Sequence, residues 1–501
     1  MLNMKKNKQG RNFQFSIFNF QFNKEISIIS IIGGALAILL IVLISLPDPN
    51  KNPSAGLNII GNGPKSDIEY NADNSTLINY PADLLAQIEI KNREGTFTLT
   101  REGDSFAIAE LAGLPIDVDF IRIIWADAAQ IGYSYSLRER GDLSQYGFDP
   151  PQATVTGWYS DGSTSEFYIG NTVSGDEAYR YFMVTGDELI YVTDLHPSFL
   201  LGASYWLSKE PFGVGSGEGE VTSLTISGQG FSTPAIISKH ATTDESNPFY
   251  NLKYVMTSPF EWGCDDYFLS LLTYELGSLR ADLALCPFPA ETDLETYGLK
   301  NPRCVISFTR EGIDYTVRCS SLFGGVFYIT FDSIPVIYKL NADSYLSLSD
   351  LNQNSILSVS PRVLSFKTVA ELTIIGRGRN YNFVVDRTTI SDNINISDDP
   401  NLYEYRVTSS GNEIPLSSFK NLLQTINGAV VVEFGAQSSA QEPELTITIR
   451  YHPEYNRSEE TMSYFSTGNR RFVCDINGQR TGAAVQSLWI DSVFEIVAVS
   501  S

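Results

Sequence analysis

Histidine is almost missing from this 501-residue chain: only His196, His240 and His452 occur. Cysteine is equally sparse, with Cys264, Cys286, Cys304, Cys319 and Cys474, and no two of them form a Cys-x-x-Cys pair. A structural zinc site draws four convergent ligands from paired spacings, so this supply excludes that class. No Gly-x-Ser-x-Gly elbow neighbours any histidine, and His196 and His452 each precede proline in loop-like surroundings. No catalytic triad, metal centre or cofactor is expected. Basic residues are also short, with 35 Lys and Arg against 58 Asp and Glu, for a net charge of −23. A nucleic-acid partner needs a basic stripe, so none is expected.

The acids themselves point to solubility rather than chemistry. Pairs such as Asp117/Asp119 and Asp265/Asp266 stand at helix starts, where a carboxylate stabilises the helix dipole by about 0.3–1 kcal/mol. No EF-hand spacing occurs. Cys304 and Cys319 can face each other across a hairpin. Both a disulfide and a pair of small buried apolar side chains fit that placement.

What the chain does have is one long apolar run. Ile26–Leu46 reads "ISIISIIGGALAILLIVLISL" without a charge. As a helix it spans about 31 Å, the thickness of a hydrocarbon core. Lys5, Lys6, Lys8, Arg11 and Lys24 precede it, and "PDPNKNPSAG" follows. The basic side stays cytoplasmic, so the rest of the chain is expected outside. The run exceeds a signal peptide's apolar stretch and lacks a small-x-small cleavage site, which favours an uncleaved anchor. Residues 47–82, rich in Pro, Gly, Asn and Ser, read as a flexible stalk.

Aromatics are plentiful, with 26 Tyr and 29 Phe, and suit half-buried strands. A longer pattern runs beneath them. "LSQYGFDPPQATVT" (residues 143–156) returns as "LETYGLKNPRCVIS" (residues 294–307), and "PELTIT" (residues 443–448) keeps the proline, as Pro443, and the strand while Ser438-Ser439 replaces Tyr-Gly. Each stretch follows a strand pair and a short amphipathic helix. Those helices are marked by Phe120, Ile121, Ile124, Trp125 and Ala128 after Asp117. The second has Phe268, Leu271, Leu272 and Leu276 after Asp265-Asp266. The third has Phe419, Leu422, Leu423 and Ile426 after Ser417, closed by a left-handed Gly428. Tyr146, Gly147, Pro151, Tyr297, Gly298, Pro302 and Pro443 form the structural signature. Glycine supplies positive φ, proline sets an extended start, and tyrosine buries a ring.

"LSQYGFDPPQATVTGWYSDGSTSEFYIGN", followed by aromatic strands and "IYVTDLHPSFLL", resembles the bacterial family catalogued as domain of unknown function 4340. The motif residues are Tyr146-Gly147-Phe148-Asp149-Pro150-Pro151, Asp161-Gly162 and Ile169-Gly170. The resemblance implies one N-terminal membrane helix, no established activity, and similarity to auxiliary components of gliding-motility-type ABC transporters.

The expected fold is α+β: three tandem repeats of antiparallel strand hairpins with one or two helices each, preceded by a single transmembrane helix. The expected segments are a basic cytoplasmic tail (1–25), the membrane helix (26–46), the stalk (47–82), and repeats at 83–212, 218–350 and 364–501. The expected function is a non-enzymatic, membrane-anchored extracytoplasmic accessory or scaffold protein, partnering an ABC-type transporter complex. The alternative is a cell-surface binder of cell-wall polysaccharide.

Overall fold

A computed structural model describes residues 68–71, 75–138, 141–194, 197–213, 218–240, 247, 249, 252–389 and 403–500. The apolar run 26–46 and His196 lie outside the described residues. Among the described residues, no helix is long and apolar enough to cross a membrane.

Strand formation follows from period-two burial. Ala153–Tyr159 turns Ala153, Val155, Gly157 and Tyr159 inward, and Cys304–Arg310 does the same with Cys304, Ile306, Phe308 and Arg310. Leu445–Tyr451 buries Leu445, Ile447, Ile449 and Tyr451. The β-branched and aromatic residues at these positions fit a pleated surface with one face on the core.

Each of these strands lies inside a separate nine-stranded antiparallel sheet. Ala153–Tyr159 pairs with Leu85–Asn92, which pairs in turn with Gly95–Glu102. Cys304–Arg310 pairs with Val221–Gly228, partner of Phe231–Lys239. Leu445–Tyr451 pairs with Val369–Gly376, partner of Arg379–Thr389. A two-stranded sheet, Thr76–Asn79 with Gln130–Gly132, completes the β structure.

The α+β expectation of three tandem hairpin repeats, each with one or two helices, is therefore corrected. The fold is mostly β, and strands far apart in sequence merge into broad sheets. The reason lies in edges. An isolated hairpin leaves its outer backbone groups unpaired, and three-residue strands from connecting segments close the gap. Ile68–Tyr70 is one such strand, added beside Tyr135–Leu137. It belongs to the stretch expected to be a stalk. Ile78 of the same stretch is buried in the core, so residues 68–71 and 75–82 are part of the folded body.

Among the described residues, four helices of twelve or more residues pack on the sheets: α1 (Val118–Ala129), α2 (Asp266–Gly277), α3 (Leu416–Asn427) and α4 (Ser487–Ser500). Asp117 caps α1, accepting from the Phe120 N–H at 3.0 Å, and Asp265 caps α2, accepting from the Phe268 N–H at 2.9 Å. The cap of α3 differs from expectation. Pro415 precedes it without a side-chain bond, and Ser417 lies inside the first turn. Gly428 ends α3 at φ −75°, not left-handed, because its N–H bonds back to Gln424 and Thr425 in a continuing turn. Asp117→Ala and Asp265→Ala are each expected to lower unfolding free energy by about 1 kcal/mol. Ser417→Ala is expected to stay within about 0.5 kcal/mol, all three read from urea unfolding midpoints.

One continuous apolar cluster runs through all three sheets. Phe212, beyond the last strand of the first sheet, inserts among Tyr315 and Phe331 of the second, with ring centroids 4.9 and 5.5 Å away. The Arg310 guanidinium covers Phe212 at 4.4 Å. Between the second and third sheets, Arg362 and Glu460 form an ion pair at 2.6 Å with both side chains almost wholly buried. Arg362 also donates to the Glu261 carbonyl at 3.2 Å and lies over Phe249 and Trp262. The stretch 352–363 is thus a packed joint.

Candidate functional site

The signature residues build two turns of one kind. Leu143–Tyr146 is a 3-10 turn ended by Gly147 at φ +80°, and the Phe148 N–H returns to the Leu143 carbonyl at 3.1 Å. Glu291–Thr296 is a short helix followed by Tyr297 and by Gly298 at φ +70°, and the Leu299 N–H returns to Leu294 at 2.7 Å. Positive φ lets the chain reverse at these points, where an L side chain is strained. Pro151, Pro302 and Pro443 then lead into the three interior strands. The residue after each donates its N–H to the neighbouring strand: Gln152 to Ile169 at 2.8 Å, Arg303 to Cys319 at 2.8 Å, and Glu444 to Tyr464 at 2.9 Å. A proline lacks that donor, so it is placed one residue before the ladder begins.

Both signature tyrosines meet another tyrosine edge to face. Tyr146 lies 4.9 Å from Tyr181, and Tyr297 lies 4.8 Å from Tyr328. On the first sheet this contact joins a tyrosine-rich outer patch. Tyr135, Val173 and Val192 are buried there under Ile68, Leu137, Tyr179 and Tyr181. Burial, with Tyr181, Tyr70 and Asp176 nearby, pushes the Tyr135 hydroxyl up to about 12, so it stays protonated. The patch offers rings and neutral hydroxyls.

Arg303, the residue after Pro302, helps line a cleft of about 720 Å³ together with Asp265, Tyr267, Phe268, Asp350 and Asn352 among others. Arg303 is spent on shaping it. Its guanidinium donates to the carbonyls of Leu348 at 2.5 Å and Leu351 at 2.9 Å, pinning the opposite wall. Asp265 is engaged as the cap of α2. Tyr267 is 81% exposed, and Asp350 and Asn352 also face solvent. The Asn352 amide is engaged in its own loop, donating to the Asp350 carbonyl at 2.7 Å and accepting from the Asn354 and Ser355 N–H groups. This leaves an open aromatic ring beside the Asp350 carboxylate, a pair that can stack on a sugar face and accept from its hydroxyls. Sequence reading missed Tyr267, although a signal existed. The inward periodicity of Phe268, Leu272 and Leu276 leaves Tyr267 on the outer side of α2.

Two other titratable groups, Glu275 and His452, are packed into the fold. Glu275 is buried and accepts from the Ser347 and Leu348 N–H groups at 3.1 and 2.9 Å and from the Ser347 hydroxyl. Among the described residues, no group of three or more His, Cys, Asp or Glu is placed to hold a metal ion. His452 is partly buried behind Arg387. Burial, and then the Arg387 charge, lower its pKa to about 4. In the unfolded chain it titrates near 6.5. The unfolded state therefore binds the extra proton first as pH falls, so stability is full above pH 6.5 and declines toward pH 4. His452→Asn is expected to flatten that decline, measured as urea midpoints between pH 7.5 and 4.

No curated protein matches this chain. Residues 107–229, which carry α1, the first signature turn and most of the first sheet's later strands, match the family model described as domain of unknown function (DUF4340).

Proposed function

We propose that this protein is a non-enzymatic, membrane-anchored extracytoplasmic accessory protein that acts as a scaffold beside an ABC-type transporter complex. The observation that carries the reading is the joining of three sheets into one compact unit, Asp67–Ser501, on a chain that carries an uncharged 21-residue run at Ile26–Leu46. Buried contacts such as Arg362–Glu460 hold neighbouring sheets in one register, so partner-facing surfaces keep fixed spacing. The basic residues before Ile26 favour the bulk of the chain outside the membrane. The test is capture of the full chain from detergent-solubilised native membranes after brief cross-linking. Co-recovery of a permease and an ATPase is the expected result, and recovery of the protein without either contradicts it.

A second reading, binding of cell-wall polysaccharide, is favoured by the cleft beside Tyr267. The full chain in detergent is then expected to be retained on purified wall glycan, with Tyr267→Ala weakening retention at least tenfold. Equal retention of the two forms counts against it.

A further inference from the structure

The second sheet places two of the five cysteines in direct register. Cys304 and Cys319 are paired across adjacent antiparallel strands, at the open end of a hairpin whose turn is Glu311-Gly312. Residues in direct antiparallel register have Cα atoms about 4.5–5.5 Å apart. A disulfide spans Cα atoms about 4.4–6.8 Å apart, so the register brings the two thiols within bonding reach. Both residues are buried, and both side chains point into the core face of the sheet. Cys264, Cys286 and Cys474 have no cysteine opposite them in the described pairings.

We propose that Cys304 and Cys319 are a disulfide-forming pair, closed by a thiol–disulfide oxidant as the chain folds. The oxidant is a disulfide, either of a small molecule or of an exchange protein. In one order, the Cys304 thiolate attacks one of its sulfurs, forming a mixed disulfide and releasing the first oxidant thiol. The Cys319 thiolate then attacks the Cys304 sulfur, closing the cross-strand bond and releasing the second thiol. Two electrons pass to the oxidant, and the two cysteine protons end on its two thiols. While the hairpin is open neither thiol is yet buried, so either cysteine can make the first attack and the other then closes the bond. Burial of both sulfurs in the finished sheet fixes the timing. Exchange occurs while the hairpin is still open, and the closed bond is then shielded from reductants.

Full-length protein is reduced in urea and diluted into detergent buffer containing glutathione and glutathione disulfide. A second sample is extracted from native membranes directly into denaturant with iodoacetamide. Mass spectrometry counts alkylated thiols and identifies linked peptides. A drop from five free thiols to three, with the Cys304 and Cys319 peptides joined in either sample, is the expected result. Cys304→Ser and Cys319→Ser are each expected to leave four free thiols and no intramolecular link. Five alkylated thiols in both samples, or a link to Cys264, Cys286 or Cys474, overturns the proposal.

Discussion

Glu460→Ala lowers the unfolding free energy by about 3–5 kcal/mol, the cost of leaving a buried charge unpaired. Arg362 is then enclosed by Phe249, Trp262 and the Pro361 and Glu261 carbonyls, with no carboxylate to neutralise it. Arg362→Met is expected to cost less. Arg457 stands 3.3 Å from the second carboxylate oxygen of Glu460 and keeps a partial partner in place. The double change to apolar residues of similar volume is expected to recover much of the loss, because Arg362 leaves together with Glu460 and Arg457 keeps Glu261 at 3.7 Å as its counter-ion. Urea unfolding of the full chain in detergent, followed by tryptophan fluorescence, reads this directly. Trp262 lies beside Arg362, so its signal reports on the joint itself. Little dependence on salt is expected, since screening ions do not reach a buried pair.

The second large effect is expected at the first signature turn. Gly147→Ala combines two penalties. At φ +80° an L side chain costs about 1–2 kcal/mol. A Cβ there also meets the Asn171 side chain and backbone at 2.5–2.7 Å, so that strand or the turn must shift, at about 1–3 kcal/mol more. A total near 3 kcal/mol is expected from denaturant midpoints. Gly298→Ala is expected to cost less, because its Cβ meets only Ser320 at 3.5 Å and the penalty is conformational alone. Similar losses at both positions would show that backbone conformation, not packing against Asn171, controls the turn.

Local structure was legible in the sequence wherever pattern and chemistry agreed. The strand hairpins, the three amphipathic helices and the caps at Asp117 and Asp265 follow from apolar spacing and short-range hydrogen bonding. The signature turns were legible because glycine and proline have narrow conformational meaning. Sheet breadth was not legible. Ile68–Tyr70 and Asn412–Ile414 are three-residue strands whose sequences have no period to read, and they exist because an edge of a sheet accepts them. The balance between α+β and mostly β was missed for that reason. The start of α3 was missed because Ser417 looks like a cap, while Pro415 opens the helix with its fixed φ. The buried joint was hidden as well. Arg362 and Glu460 are 98 residues apart, and only packing brings them together. In the cleft, Tyr267 could have been singled out by helical phase, but Arg303, Asp350 and Asn352 meet it through long-range contacts.

The functional proposal turns on where the bulk of the chain resides. Full-length protein in native cells can be fractionated, washed with alkaline carbonate, and exposed in intact cells to a membrane-impermeant amine reagent. Lys239, Lys300 and Lys420 are surface lysines within the folded body and serve as reporters. Retention in the washed membrane pellet, with these lysines modified before lysis, is the predicted result. Recovery in the cytosolic fraction, with the same lysines modified only after lysis, would contradict the account.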